Sequence, residues 1–166
     1  MSPGRLHPAA GSVIPTEARI VLVTDPGHEL EGKNRLARIG FDRVIGFVDQ
    51  PYDSMAEHPD EVQVASRLTA QTFEQRRHDL RDLQVIDVRN RGEVTSGRIP
   101  GAVPIPVGEL TSRLGDLDPA RPTVVYCAGG YRSATAASLL RARGFATVAD
   151  LLGGYAASTG PRLATT

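Results

Sequence analysis

The chain has 166 residues, a formal net charge of +0 and a pI near 6.9, with 40% apolar and 23% charged residues. These values suit a globular protein with one full domain and residues to spare, and the balanced charge argues against nucleic acid or an acidic membrane surface as a partner. No apolar run reaches membrane-span length, no basic-then-apolar leader is visible, and the single cysteine, Cys127, excludes an intrachain disulfide and a resolving thiol, so a reducing, cytoplasmic location is expected.

Residues Met1 to Pro15 are rich in Pro, Gly and Ala, have no clear period and read as an irregular arm. Arg19 to Val23 reads as a strand, Thr24 to Gly27 as a turn, and Glu29 to Ile39 as a helix with Leu36 and Ile39 on one side and Gly40 just beyond its end. Arg43 to Phe47 is a second strand, and Asp53 to Glu57 a short helix in a Pro-containing polar stretch that marks a module boundary. Beyond the boundary, Val62 to Ala65 is expected as an edge strand and Thr69 to Leu80 as a helix with Thr69 as N-cap. Val85 to Val88 reads as a buried strand, Gly101 to Ile105 as a short one, and Glu109 to Leu114 as a brief helix.

Thr123 to Gly144 reads as strand, tight loop and helix. Thr123 to Tyr126 is β-branched and aromatic, and Cys127 stands where that strand ends. Ala128, Gly129, Gly130 and Tyr131 make the loop, where glycine permits positive φ. From about Ser133 a helix begins, with Ala136, Leu139, Leu140 and Arg143 on one face and Gly144 at its end. Thr147 to Leu152 is the last strand. A loop curling into a helix N-terminus aims several N–H groups at one spot, which favours a thiolate at Cys127. Arg132 can then fork two donors toward an oxyanion. The pattern points to a thiolate attacking an anionic substrate.

Cys127-Ala128-Gly129-Gly130-Tyr131-Arg132-Ser133 resembles the active-site loop of rhodanese sulfurtransferases. Upstream, Asp87-Val88-Arg89, Glu93 and Gly97 to Ala102 resemble that domain's first signature, and Leu151 to Gly154 its closing strand and turn. Arg98 stands where the family usually carries histidine. The resemblance implies an α/β fold, a mainly parallel five-stranded sheet with helices on both faces, preceded by a partial strand-helix-strand unit. It also implies a sulfurtransferase in which Cys127 carries the sulfur, Ala128, Gly129, Gly130, Tyr131, Arg132 and Ser133 bind the donor, and Asp87 and Arg89 brace the loop. No cofactor or metal is implied. The partners are a small anionic sulfur donor, thiosulfate or a persulfide, and a thiol or cyanide acceptor. The alternatives are a sulfur-relay module that takes sulfur from a partner, and a cysteine-dependent phosphatase or arsenate reductase. Relatives of that last type hold one more residue between cysteine and arginine than the four found here.

Arg19 to Phe47 repeats the back half of this pattern, each copy having a helix end, a Gly-Phe pair (Gly40-Phe41, Gly144-Phe145) and a short strand. The first copy has no cysteine. Residues 1–58 therefore read as a degenerate half-module and 59–160 as the active rhodanese domain, an order that resembles the tails of metallo-β-lactamase-fold/rhodanese fusions. An incomplete sheet needs cover, from the 62–157 module or from the same segment of a second chain; the second is favoured, since such a sheet can be completed by a copy of itself, and it points to a homodimer through the half-module. The histidines His7, His28, His58 and His78 show no ligand spacing.

Overall fold

The computed structural model describes Gly11 and residues 13–158; most of the N-terminal arm, with His7, and the last residues of the expected second domain lie outside them. The chain divides into two compact units, residues 1–64 and 65–166.

In the first unit, strand β1 (Ile20–Leu22) pairs in parallel with β2 (Val44–Phe47), and helix α1 (Glu29–Ala37) connects them. Leu22, Leu36 and Phe41 form its small core, with Ile14, Ile20 and Val44 packed against them. Leu36 faces inward as expected, but Ile39 is 52% exposed, because the helix ends before it. Helix α2 (Pro51–Glu57) and a 3-10 turn (Pro59–Glu61) complete the unit.

In the second unit, strands β3 (Ser66–Leu68), β4 (Gln84–Asp87), β5 (Val103–Pro104), β6 (Thr123–Tyr126) and β7 (Val148–Leu151) form one sheet in the order β3-β7-β6-β4-β5, every neighbouring pair parallel. Every residue of β4, β6 and β7 is buried, the pattern of a parallel sheet covered on both faces. The main core joins Phe73, Ile99, Val124, Tyr126 and Leu151. The covering helices are α3 (Ala70–Asp79), α4 (Arg91–Val94), α5 (Tyr131–Ala142) and α6 (Gly154–Ala157). Thr69 caps α3, its hydroxyl accepting from the Thr72 amide at 3.2 Å.

Three expectations need correction. The edge strand lies at Ser66–Leu68 and not at Val62 to Ala65: Val64 is almost wholly exposed, whereas Leu68 reaches the core beside Leu151. The brief helix at Glu109 to Leu114 is instead two 3-10 segments, Val107–Glu109 and Thr111–Asp116, with Arg113 outside helical φ/ψ, since so short a stretch closes more readily with i→i+3 bonds. Helix α5 starts at Tyr131, not Ser133, and its buried face is Ser133, Ala136, Ala137 and Leu140, with Arg143 left exposed.

The two strand-helix-strand segments end their helices alike. Gly40 and Gly144 have φ of +88° and +86°. The Phe41 amide donates to the Leu36 carbonyl at 3.1 Å, and the Phe145 amide to the Leu140 carbonyl at 3.2 Å. Both phenylalanines and both leucines are buried, which is the hydrophobic contact of a Schellman end.

Candidate active site

Cys127 follows the last residue of β6, the central strand, and its side chain is almost fully buried. Gly130, with φ +96°, turns the chain so that its amide donates to Cys127 Sγ at 3.1 Å. Ser133, in the first turn of α5, places its hydroxyl 3.6 Å from Sγ. Burial pushes the Cys127 thiol up, but the Ser133 amide and hydroxyl and the Gly130 and Gly129 amides outweigh it, and the net shift is down, toward thiolate.

The loop is held from behind by the Gly153–Gly154 turn. The Tyr155 amide donates to the Cys127 carbonyl at 2.7 Å and the Ala156 amide to the Ala128 carbonyl at 3.1 Å. Gly154 has φ +57°, and a Cβ there would collide with the Cys127 carbonyl oxygen.

Asp87 ends β4 and lies in register with Tyr126. Its carboxylate accepts from Arg89 Nη2 at 2.6 Å and from the Tyr126 hydroxyl at 2.7 Å. Arg89 also donates to the Gly97 carbonyl at 2.7 Å, and its guanidinium lies 4.0 Å from the Tyr155 ring centroid. Asp87 and Arg89 thus form a buried, neutral pair that ties β4 to Tyr126, before the cysteine, and to Tyr155, behind it. Burial and the Asp87 carboxylate push the Tyr126 phenol far up, so it remains a donor.

Arg132 sits differently from the expected open fork. Its Nη1 and Nη2 donate to the two carboxylate oxygens of Glu93 at 2.6 and 2.7 Å. The same carboxylate accepts from the Asn90 amide at 3.1 Å, at the start of α4. Hydrogen bonding to Arg132 lowers the Glu93 carboxyl. Arg132 is raised by Glu93 first and also by Cys127, which puts its cation within electrostatic reach of the sulfur.

The structure therefore brings together Cys127, Ala128, Gly129, Gly130, Arg132 and Ser133. Tyr131 is exposed on the outer side and lines an open groove of about 560 Å³ with Arg67, Gly129, Gly130, Ala134, Thr135 and Ser138. Sequence reasoning placed Glu93 in the first signature and Gly153–Gly154 in the closing turn, but gave neither a contact with the cysteine loop. The Asn90-x-x-Glu93 capping pattern and the need of Arg132 for a counter-charge were the available signals. Among the described residues no cluster of His, Cys, Asp and Glu could hold a metal ion, and no helix is long and apolar enough to cross a membrane.

A parallel α/β sheet thus carries, at the C-terminal end of its central strand, a buried cysteine whose thiol is lowered by an amide-lined loop. The rhodanese-like domain model matches residues 69–159, and the chain belongs to that family. A sulfurtransferase of Allochromatium vinosum is 30% identical over 57% of this chain and 88% of its own length. The thiosulfate sulfurtransferase GlpE of Shewanella oneidensis is 34% identical over 48% of this chain and 78% of its own. Among solved structures, a rhodanese-related protein of Thermoplasma volcanium superposes with a TM-score of 0.55 at 26% identity, covering 60% of this chain and 98% of that one. A Rhodopseudomonas palustris protein described as a possible tyrosine phosphatase gives 0.53 at 26% identity, covering 69% and 95%.

Proposed function

We propose that the protein is a sulfurtransferase that moves sulfane sulfur through a persulfide on Cys127. The observation that carries this reading is the lowered Cys127 thiol beneath the Gly130 amide and Ser133 hydroxyl. With thiosulfate, Cys127 thiolate attacks the outer sulfur and the S–S bond breaks. Sulfite leaves with the bonding pair, and Cys127–S–S⁻ remains in the amide nest. A thiol or cyanide then attacks the outer sulfur and regenerates the thiolate, a ping-pong cycle. Asp87 and Arg89 support the loop. No cofactor enters these steps.

The likeness to a possible tyrosine phosphatase keeps phosphate-ester cleavage as a second reading. The four-residue spacer between Cys127 and Arg132 favours the smaller group. A relay module, charged only by a partner protein, is a third. Residues 1–58 are proposed as the cysteine-less back half of a rhodanese module, supported by the matching helix ends at Gly40-Phe41 and Gly144-Phe145. This half-module is proposed to pair with its copy in a homodimer.

Intact mass spectrometry tests the chemistry. Thiosulfate or a small persulfide should add one sulfur atom, removable by cyanide or dithiothreitol, and Cys127→Ser should abolish both the adduct and thiocyanate formation. Full turnover in Cys127→Ser would sink the mechanism, an aryl phosphatase rate above the sulfur-transfer rate would reverse the ranking, and an adduct with no steady-state turnover of free donors would favour the relay.

A further inference from the structure

Arg132 is the cation electrostatically coupled to the nucleophile, yet its charge is already matched. Two of its N–H groups point at Glu93, with side-chain exposures of 15% for Arg132 and 35% for Glu93. The other cation braced behind the loop, Arg89, is spent on Asp87. The loop amides at Gly130 and Ser133 already favour the Cys127 thiolate. Arg67, which lines the groove beside Gly129 and Gly130, is likewise paired, with Asp150 at 3.0 Å. A doubly charged donor entering this site meets the thiolate and the Glu93 carboxylate, with guanidinium groups already matched by carboxylates and amide dipoles to hold it.

We infer that Glu93 is a specificity-determining residue which, by occupying Arg132, selects donors of low charge, the small organic persulfides R–S–SH, over the thiosulfate dianion. The inference rests on the proposed sulfur-transfer reading. Cys127 thiolate attacks the terminal sulfur of R–S–SH, the S–S bond breaks, and R–S⁻ leaves with the bonding pair. Cys127–S–SH forms and gives its proton to water. This path puts no second negative charge on the incoming molecule. With thiosulfate the same bond change carries two charges into the cradle and releases them as sulfite.

Glu93→Gln is the informative variant, because the amide oxygen can still accept from the Asn90 amide and from Arg132 while the charge is removed. Initial rates with thiosulfate and with 2-hydroxyethyl persulfide, whose R group is uncharged, give kcat/KM for each donor. Glu93→Gln should raise the thiosulfate-to-persulfide ratio by about tenfold, chiefly through a lower KM for thiosulfate. An unchanged or smaller ratio overturns the inference, since a merely structural Glu93 would lose both donors together or raise the thiosulfate KM. The wild-type protein gives a measurement that does not depend on the variant folding. Raising ionic strength should increase kcat/KM for thiosulfate by screening repulsion and move the value for the persulfide, which carries at most one charge, much less. A fall for thiosulfate would mean net attraction and overturn the inference too. If Cys127 gains sulfur while neither test moves as stated, the sulfur-transfer reading stands and donor selection by Glu93 does not. If neither donor charges Cys127, both fall.

Discussion

Ser133 shows how a single side chain tunes the nucleophile. Cys127 is buried, which taken alone would raise its thiol, and the net lowering depends on donors supplied within six residues of it. The attacking form is the thiolate, so sulfur uptake should climb with pH and level off once the thiol is fully ionised, at a lower pH than for an ordinary thiol. Ser133→Ala removes the hydroxyl and leaves the amides. The rise should then move to higher pH, with the alkaline plateau kept and the rate at neutral pH lowered by about tenfold or more, the worth of one hydrogen bond to the charged form. Because Cys127 is the only thiol in the chain, the pH profile of iodoacetamide alkylation reads this directly. An unmoved profile would remove Ser133 from the anion nest. The nest was legible in the sequence because all its members are neighbours along the chain. The Glu93–Arg132 pair was not, since its partners are 39 positions apart and only the fold of α4 against the loop brings them together.

Among the elements, the turn after β7 matters more to the cysteine than its distance in sequence suggests. Gly154 has positive φ and lies so close to the Cys127 carbonyl that no side chain fits. Gly144 also has a positive φ, +86°, but open space where a Cβ would stand. The two glycines separate backbone strain from a clash at the site. Gly144→Ala should cost about 1–2 kcal/mol, read as a lower Tm, with sulfur transfer intact. Gly154→Ala should lose stability and also displace the loop, lowering kcat by about a hundredfold, the order expected for a misplacement of about 1 Å. Equal activity in the two variants would show that the turn does not hold the nucleophile. The central strands were legible because parallel sheets bury both faces and so leave short, mainly apolar runs: Val85-Ile86 before Asp87, Val124-Val125-Tyr126, and Val148-Ala149 before Asp150. Strand β3 was not: Ser-Arg-Leu has little apolar signal, and its place is fixed by pairing with β7 and by Arg67 donating to Asp150 at 3.0 Å.

At the scale of the whole molecule, the first unit has a two-stranded sheet and a core of three buried apolar side chains. Along β1 and the residue after it, Ile20 and Leu22 turn inward while Val21 and Val23 stay 52% and 55% exposed; Ile45 and Phe47 of β2 are 52% and 53% exposed. Four exposed apolar side chains on so short a sheet leave apolar surface of the kind that marks an interaction patch. A copy of the same patch is a self-complementary cover, and closed two-fold pairing is the commonest way for identical chains to satisfy one another. The full chain should therefore be a dimer by light scattering. Phe47→Glu, which places a charge among these exposed side chains, should shift it to monomer without unfolding it. Deleting residues 1–58 should also give a monomer and leave sulfur transfer largely intact, because Cys127, its amide donors, the Asp87–Arg89 pair and the Gly153–Gly154 turn all lie in the unit 65–166. A monomeric full chain removes the pairing. Loss of activity on deletion, with the remaining domain still folded by circular dichroism, would give the first unit a part in catalysis that the residues around Cys127 do not account for.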